Sequence, residues 1–308
     1  MKLAIVIVSY NTRDETLRCL DSVAENLPAD TEVVVVDNGS TDGSGAAIRQ
    51  RHPSVIVDEA GENLGFARGV NRGVARSSAE WILLLNPDTV VLPGSLESLL
   101  AFAAAHPEHG VFGGRTLRPD GSTDPSSCWG APSLWSLTCF ALGLTTAFRR
   151  SRVFDPESLG RWDRDSVRVV PIITGCLLLI SRANWDRLGG MDERFFLYGE
   201  DADFSHRARA AGLSAVIVPD AVIVHAVGGS TGSWGLKMCM VMAGKSTLLR
   251  LDWPRAKARV GLALLGTGAA LRAALERMTG REGTWTVVWR RRRDWMPGYP
   301  AARAAIFG

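Results

Sequence analysis

The 308 residues hold no Cys-x-x-Cys pair; the five cysteines stand at 19, 128, 139, 176 and 239. A zinc ribbon and a thioredoxin-type redox motif are excluded, and no Cys/His cluster offers a structural zinc site. An odd cysteine count, with no leader pattern after Met1-Lys2, leads us to expect a reducing cytoplasm and no disulfide framework. No strand pattern runs into Gly-x-Gly-x-x-Gly, so a dinucleotide fold has no fingerprint. Gly244-Lys245-Ser246-Thr247 resembles the end of a phosphate-binding loop, but Cys239 stands where that loop needs glycine, and no strand leads into it. His106 and His109 read as exposed residues at a helix end beside Pro107, not as metal ligands. Internal repeats and long low-complexity tracts are also missing. With 46% hydrophobic and 22% charged residues, the chain is neither disordered, collagen-like nor a coiled coil. Its length suits one large α/β domain, or such a domain with an appendage.

Charge is absent altogether from residues 125–148. A membrane-spanning helix needs about 20 predominantly apolar residues. This run carries seven Ser/Thr, Pro132 and two glycines, which favours a surface loop and helix touching a greasy acceptor or a membrane interface. Elsewhere charge is uneven. From Lys245 onward 13 Lys/Arg face 4 Asp/Glu, a balance of +9; the overall net of +3 leaves −6 upstream. A basic tail on an acidic body suits a polyanionic partner, or is a solvated helical face. Arg290–Arg293 lie between Trp289 and Trp295, a pattern suited to an anionic membrane surface. No nucleic-acid recognition fold accompanies them, so no nucleic-acid partner is expected.

What is present is an alternation. Residues 2–10, 31–38 and 79–88 are nearly continuous apolar runs ending in polar residues, as in parallel strands buried on both faces. Helical stretches lie between and after them, at Asp14–Leu27, Gly43–Arg51, Gly65–Arg76 and Gly94–Ala105. The pattern predicts a doubly wound α/β sheet, whose ligands bind outside the carboxyl ends of the strands. Residues 115–168 are irregular. The α/β pattern resumes with residues 169–181 as one strand, a helix from Glu200 to Ala211, and residues 213–225 as further strand. Residues 234–277 read as helical.

The strand ends carry the chemistry. Asp37 follows four valines; a carboxylate there can accept a nucleobase imide N–H, or can make an Asx turn with Asn38-Gly39-Ser40. Asp88, two residues after Asn86, can hold a hard cation against phosphate oxygens, or can cap a helix. Glu200, Asp201 and Asp203 crowd one helix start; their repulsion can raise one pKa and create a general base. His225 ends a strand, as a structural residue or as a ligand.

Taken in order, these segments resemble a known family: Val-Ser-Tyr-Asn at 8–11, Val-Asp-Asn-Gly-Ser-Thr-Asp-Gly-Ser at 36–44, Glu-Asn-Leu-Gly-Phe-Ala-Arg-Gly-Val-Asn-Arg-Gly at 62–73, Asn-Pro-Asp at 86–88, residues 189–204, and His-Ala-Val-Gly-Gly-Ser at 225–230. The chain is similar to family 2 glycosyltransferases of the GT-A fold. Within them it is similar to bacterial rhamnosyltransferases acting on lipid-linked or polysaccharide acceptors. The resemblance spans roughly residues 1–250.

It implies a Rossmann-like, mostly parallel sheet flanked by helices. It implies a GT-A domain over 1–233, with an acceptor-side insertion at 115–168, and a helical, basic, membrane-associating region over 234–308. Ser9, Tyr10, Asn11, Asp37, Gly65, Arg68, Asn71 and Asn86 match the donor-nucleotide site. Asp88 and His225 match the site of a divalent cation, Mg2+ or Mn2+. Asn86 stands where the family's Asp-x-Asp has its first Asp, which leaves Asp88 as the firm ligand. Asp201 matches the catalytic base, with Glu200 and Asp203 supporting it or the acceptor. The implied reaction is metal-dependent inverting transfer of a sugar, rhamnose from dTDP-rhamnose, to a polyprenyl-diphosphate-linked or polysaccharide acceptor. The implied location is the cytoplasmic face of the cell membrane. The alternatives are another donor such as a UDP-hexosamine or UDP-galactofuranose, a sugar-nucleotide pyrophosphorylase, and a non-catalytic scaffold. The pyrophosphorylase would want a glycine-rich basic loop near the first strand, where residues 9–17 offer one Arg and no Gly.

Overall fold

Runs of Val, Ile and Leu between polar, glycine-bearing turns build the first part of the chain, and each run becomes a strand. The computed structural model describes residues 2–225, 234–280 and 283–307. β1 (Leu3–Ser9), β2 (Thr31–Asp37), β3 (Ile56–Glu59) and β4 (Trp81–Leu85) alternate with α1 (Arg13–Glu25), α2 (Ser44–Arg51) and α3 (Phe66–Val74). There follow β5 (Thr89–Val91), α4 (Ser95–Ala105), β6 (His109–Leu117), β7 (Thr123–Asp124), β8 (Cys128–Trp129), α5 (Leu134–Ala141) and α6 (Leu144–Ala147). Next come β9 (Arg168–Val170), β10 (Ile172–Ile173), β11 (Leu177–Ser181), α7 (Arg182–Leu188), α8 (Glu200–Ala210) and β12 (Ser214–His225). The chain ends in α9 (Trp234–Asp252), α10 (Arg255–Met278), α11 (Thr284–Arg290), α12 (Arg292–Trp295) and α13 (Ala301–Phe307). This is the α/β class with a helical C-terminal region that the sequence predicts.

Contacts divide the chain into two units. The first takes in the chain through Trp129, Asp163–Asp192, and the residues from Asp201 through β12. Its sheet runs β3-β2-β1-β4-β11-β6-β12-β5, with β7 beside β6 and β9 beside β12. β3, β2, β1 and β4 are parallel, and antiparallel pairing enters at β11. Ile5, Ile7, Val34, Val35, Leu83 and Leu179 lie in its core. Helix α3 presses glycines onto β1: a Cβ on Gly69 would stand 2.8 Å from Val8 Cγ1, and one on Gly73 2.5 Å from Val6 Cγ1.

Several boundaries differ from expectation. Residues 169–181 are not one strand but β9, β10 and β11. Pro171 has no N–H for a ladder, and Gly175 lies so close to Phe66 that a Cβ would stand 2.9 Å from its ring. His109 does not end a helix; it opens β6, donating to or accepting from Ser214 Oγ at 2.6 Å. Arg115–Leu117 belong to β6 rather than to irregular chain, and β3 carries too few apolar residues to announce itself. Of the motif at 225–230, only His225 lies within the described residues.

The second unit holds Gly130–Trp162, Glu193–Glu200 and the helices from α9 onward. Pro254, which cannot donate an N–H, separates α9 from α10. By length and composition α10 could cross a membrane, and 44% of its apolar window is buried within the protein. Leu137, Phe195, Cys239, Leu265, Val288 and Trp295 form its core. Trp295 is therefore not an interfacial ring: it is 0% exposed, and its indole N–H donates to the Val288 carbonyl at 2.8 Å. Burial of so large a ring outweighs any headgroup contact it could make. Arg292 lies over the Trp289 ring at 4.5 Å, and Arg291 pairs with Asp294 at 3.1 Å, so the expected Trp-flanked anchor is largely engaged internally.

The glycine contact gives a direct test. Gly73→Ala should destabilise the protein by about 1–3 kcal/mol through overpacking against Val6, read as a lower urea midpoint at unchanged slope.

Candidate active site

In-register parallel pairing sets Ser9 beside Asp37 and Ile7 beside Leu85, so the residues following β1, β2 and β4 gather at one sheet edge. The Asn38 N–H donates to the Ser9 carbonyl at 2.8 Å, which holds the first two ends together. Ser9 itself is fully buried, and its hydroxyl joins those of Thr12 (3.1 Å) and Thr16 (3.0 Å). The Tyr10 ring is exposed. Asn11, at φ 51°, accepts the Thr41 N–H at 2.8 Å, while its own N–H donates to Ser40 Oγ at 3.0 Å. Asp37 is buried, with Oδ1 accepting the Ser40 N–H at 2.9 Å. The Asx turn is thus formed, and it fixes the carboxylate at the strand end rather than excluding a ligand role.

Asn38 does more than turn the chain after β2. Its amide donates to Asn63 Oδ1 (3.1 Å) and the Gly65 carbonyl (3.2 Å), and its Oδ1 accepts the Leu64 N–H at 3.0 Å. It thereby fixes the start of α3. Gly65 caps that helix at φ 82° and ψ 179°, a conformation reserved for glycine. Arg68 is half-buried on the first turn. Asn71 spends both ends of its amide on Met191, donating to its carbonyl and accepting its N–H, each at 2.9 Å. The side chain expected at the nucleotide is a clamp on the 190–191 loop.

At the other end of this edge, β5 pairs antiparallel with β12, placing His225 opposite Thr89 and beside Asp88. His225 Nε2 lies 3.1 Å from Asp88 Oδ1, and both side chains are largely buried. The second ring nitrogen of His225 is buried without a hydrogen-bond partner and faces Asp124 Oδ2 at 3.9 Å. Asp124 arrives through the β6–β7 hairpin, a meeting that no sequence spacing signals. Asn86 is half-buried between β4 and β5; its carbonyl accepts the Thr89 hydroxyl at 2.7 Å.

The resemblance implies a divalent cation, and the donor set fits one. A carboxylate and an imidazole 3.1 Å apart suit an ion that takes one or two protein ligands and completes its shell with phosphate oxygens and water. Among the described residues no group of three or more His, Cys, Asp or Glu could enclose an ion. The protein side is thus only part of a coordination shell.

Helix α8 carries the remaining acids. Burial pushes the Asp201 carboxyl up to about 6, against hydrogen bonds from the Ala202, Asp201 and Gly175 backbone that pull it down. Its Oδ1 accepts the Ala202 N–H at 2.8 Å. Asp203 is buried and bound to Arg207 at 2.7 Å; Arg207 in turn donates to the carbonyls of Leu188 (2.7 Å) and Gly190 (3.0 Å). Asp203 is therefore a positioning residue for the 188–190 turn. Glu200 is buried in the second unit.

Residues 4–157 match the model described as "Glycosyl transferase family 2", and residues 169–226 match "N-terminal domain of galactosyltransferase". The chain is 34% identical over 249 residues, 75% of this chain and 78% of the relative, to an N-acetylglucosaminyl-diphospho-decaprenol L-rhamnosyltransferase found in two strains of Mycobacterium tuberculosis. It is 26% identical to an O-antigen biosynthesis protein of Myxococcus xanthus, over 71% of this chain but 17% of that one. Among solved structures, a mannosyltransferase of Pyrobaculum calidifontis in complex with GDP-Man and Mn2+ superposes with TM-score 0.58 at 22% identity, covering 99% of this chain and 85% of that one. GalNAc-T7 with UDP, GalNAc and Mn2+ gives 0.62 at 15% identity, covering 98% and 58%. At such identities these structures share the fold, which is GT-A.

Asp201 has a consequence for stability. Its pKa is higher folded, about 6, than the ordinary 3.8, so the folded state holds the proton more tightly. Stability from this group is full below about pH 4 and is lost as pH rises through about 6. Asp201→Asn should therefore melt no lower than the parent at pH 7, with its relative advantage vanishing below pH 4. A markedly lower melting temperature at pH 7 would contradict this.

Proposed function

The chain belongs to glycosyltransferase family 2, and we propose that it moves rhamnose from dTDP-rhamnose, with inversion, to a hydroxyl of a lipid-linked glycan of the cell envelope. The observation that carries donor and acceptor is the similarity to the mycobacterial rhamnosyltransferase, over 75% of this chain and 78% of that one.

In this reading the nucleotide lies along the polar ends of β1 and β2. Asp37 accepts the pyrimidine N–H, while Tyr10 and Asn11 flank the base. Gly65 allows backbone to approach, and Arg68 faces the pyrophosphate. Ser9 and Asn71 act through the segments they hold, since their polar groups are already engaged. Asn86 and Asp88 stand beside the diphosphate. Asp88 and His225 would hold a divalent cation, which neutralises charge on the departing diphosphate. Asp201 takes the proton of the acceptor hydroxyl as its oxygen bonds to the anomeric carbon and the bond to the nucleotide diphosphate breaks. A carboxyl near pH 6 is ionised at neutral pH yet basic enough to accept that proton. Glu200 and Asp203 keep the start of α8 in place. Work on a lipid-linked acceptor puts the enzyme at the cytoplasmic membrane face.

A galactosyl donor is the second reading, favoured by the match of residues 169–226 to a galactosyltransferase model. A panel of dTDP-, UDP- and GDP-sugars separates the two. Transfer and thermal stabilisation should be greatest with dTDP-rhamnose; a clear preference for a UDP-galactosyl donor would replace the first reading with the second.

Two further outcomes follow. Chelation should abolish transfer, and Asp88→Ala should come close to doing so, with His225→Ala milder; full activity of Asp88→Ala in excess EDTA would refute the metal site. Turnover should fall as pH drops through about 6, and Asp201→Asn should lose about 10²–10⁴ in turnover while binding donor normally. A product with retained configuration by NMR would rule out the single-displacement route.

A further inference from the structure

The second unit contains a bowl of about 540 Å³ lined by Thr146, Phe148, Arg149, Arg150, Ser151 and Arg161, with no acidic side chain in its wall. Arg149 and Arg161 are exposed and form no ion pair among the described residues. Arg150 is fixed: its backbone is left-handed at φ 59°, its N–H donates to Asp155 Oδ2 at 2.9 Å, and its guanidinium reaches the carbonyls of Gly160 and Trp162 at 3.4 Å. Holding a β-carbon residue in that region costs about 1–2 kcal/mol, so the surrounding contacts select this geometry. With Arg150 held in place by these contacts, the exposed guanidinium groups of Arg149 and Arg161 form an anion site, suited to phosphate oxygens by their forked donors.

The surroundings are apolar. The uncharged stretch 125–148 leads into the bowl, and its Trp135, Leu142 and Phe148 are exposed, Leu142 to 63%. Arg272 of α10 ties the bowl's edge down, donating to the Phe140 carbonyl (2.6 Å), Thr145 Oγ1 (3.1 Å) and Thr146 Oγ1 (3.2 Å). On the same helix Leu271, Leu275 and Met278, spaced i, i+4 and i+7, form an exposed apolar stripe. Exposed large apolar groups in the segment that leads to Arg149 and Arg161, neither of them ion-paired among the described residues, match a bilayer interface.

We propose that this face of the second unit docks on an anionic phospholipid surface, with lipid phosphates in the bowl at Arg149 and Arg161 and with Leu142 and Phe148 entering the acyl boundary. Charge complementarity selects the anionic phospholipid. The site differs from the C-terminal run Arg290–Arg293, and it does not depend on which sugar or acceptor the enzyme uses.

The test is cosedimentation of the full chain with phosphatidylglycerol/phosphatidylcholine vesicles and with pure phosphatidylcholine, at physiological salt. The parent should prefer the anionic vesicles. Arg149→Ser/Arg161→Ser should bind them at least about tenfold more weakly, while the Arg149→Lys/Arg161→Lys pair keeps most of the affinity. Leu142→Ser, an exposed site, should weaken binding about threefold or more and serves if the arginine variant melts early. Equal binding by parent and both serine variants would overturn the proposal. So would preference for neutral vesicles carrying a prenyl diphosphate over phosphatidylglycerol, which would give the bowl to the acceptor instead. Vesicle binding is read without transfer, so failure here leaves the catalytic reading intact.

Discussion

The parallel, in-register pairing of β1 with β2 on one side and β4 on the other is the constraint from which the site grows. Each strand is sealed on both faces by Val, Ile and Leu, so polar chemistry can begin only where a strand ends. Because the three strands run the same way, those ends meet at one edge. Ser9, Asp37 and Asn86 are far apart in the chain and neighbours in the sheet for that reason alone. The antiparallel return of β12 then brings His225 to Asp88 from the other side.

Environment, more than residue type, separates the acids. The Arg72 and Arg76 guanidinium groups hold Asp58 well below the usual carboxylate range. Asp203 is committed to Arg207. Asp201, half-buried and with no arginine partner among the described residues, is pushed the other way by desolvation, up to about 6. Carboxylates that look alike in the sequence are sorted by their neighbours into two buried braces, Asp58 and Asp203, and one carboxyl with a raised pKa, Asp201.

Much of this could be read in the chain. The apolar runs predicted β1, β2 and β4, and the polar residues after them come together at one sheet edge. Glycine motifs around Gly65 marked a helix start, and α3 begins there. What stayed hidden were pairings over long distances. Asp124 reaches His225 only through a hairpin, and Asn71 reaches Met191 across 120 positions. A Trp beside arginines looks the same in sequence whether the ring is wet or enclosed; only the packing of the second unit puts Trp295 inside. Pro171 broke a strand that hydrophobicity alone made continuous.

The Asn71 clamp bears on how such enzymes exchange parts. Its amide holds Met191 by the backbone, through one N–H and one carbonyl. Segment 189–191 is thus seated through its main chain, with Gly190 in a left-handed turn, while the buried Met191 side chain carries its own packing requirement. The lock is on α3 and the key is main chain, so a chimera cut between these two segments keeps its seat when residue 71 is an asparagine and residue 191 an apolar side chain that can be buried.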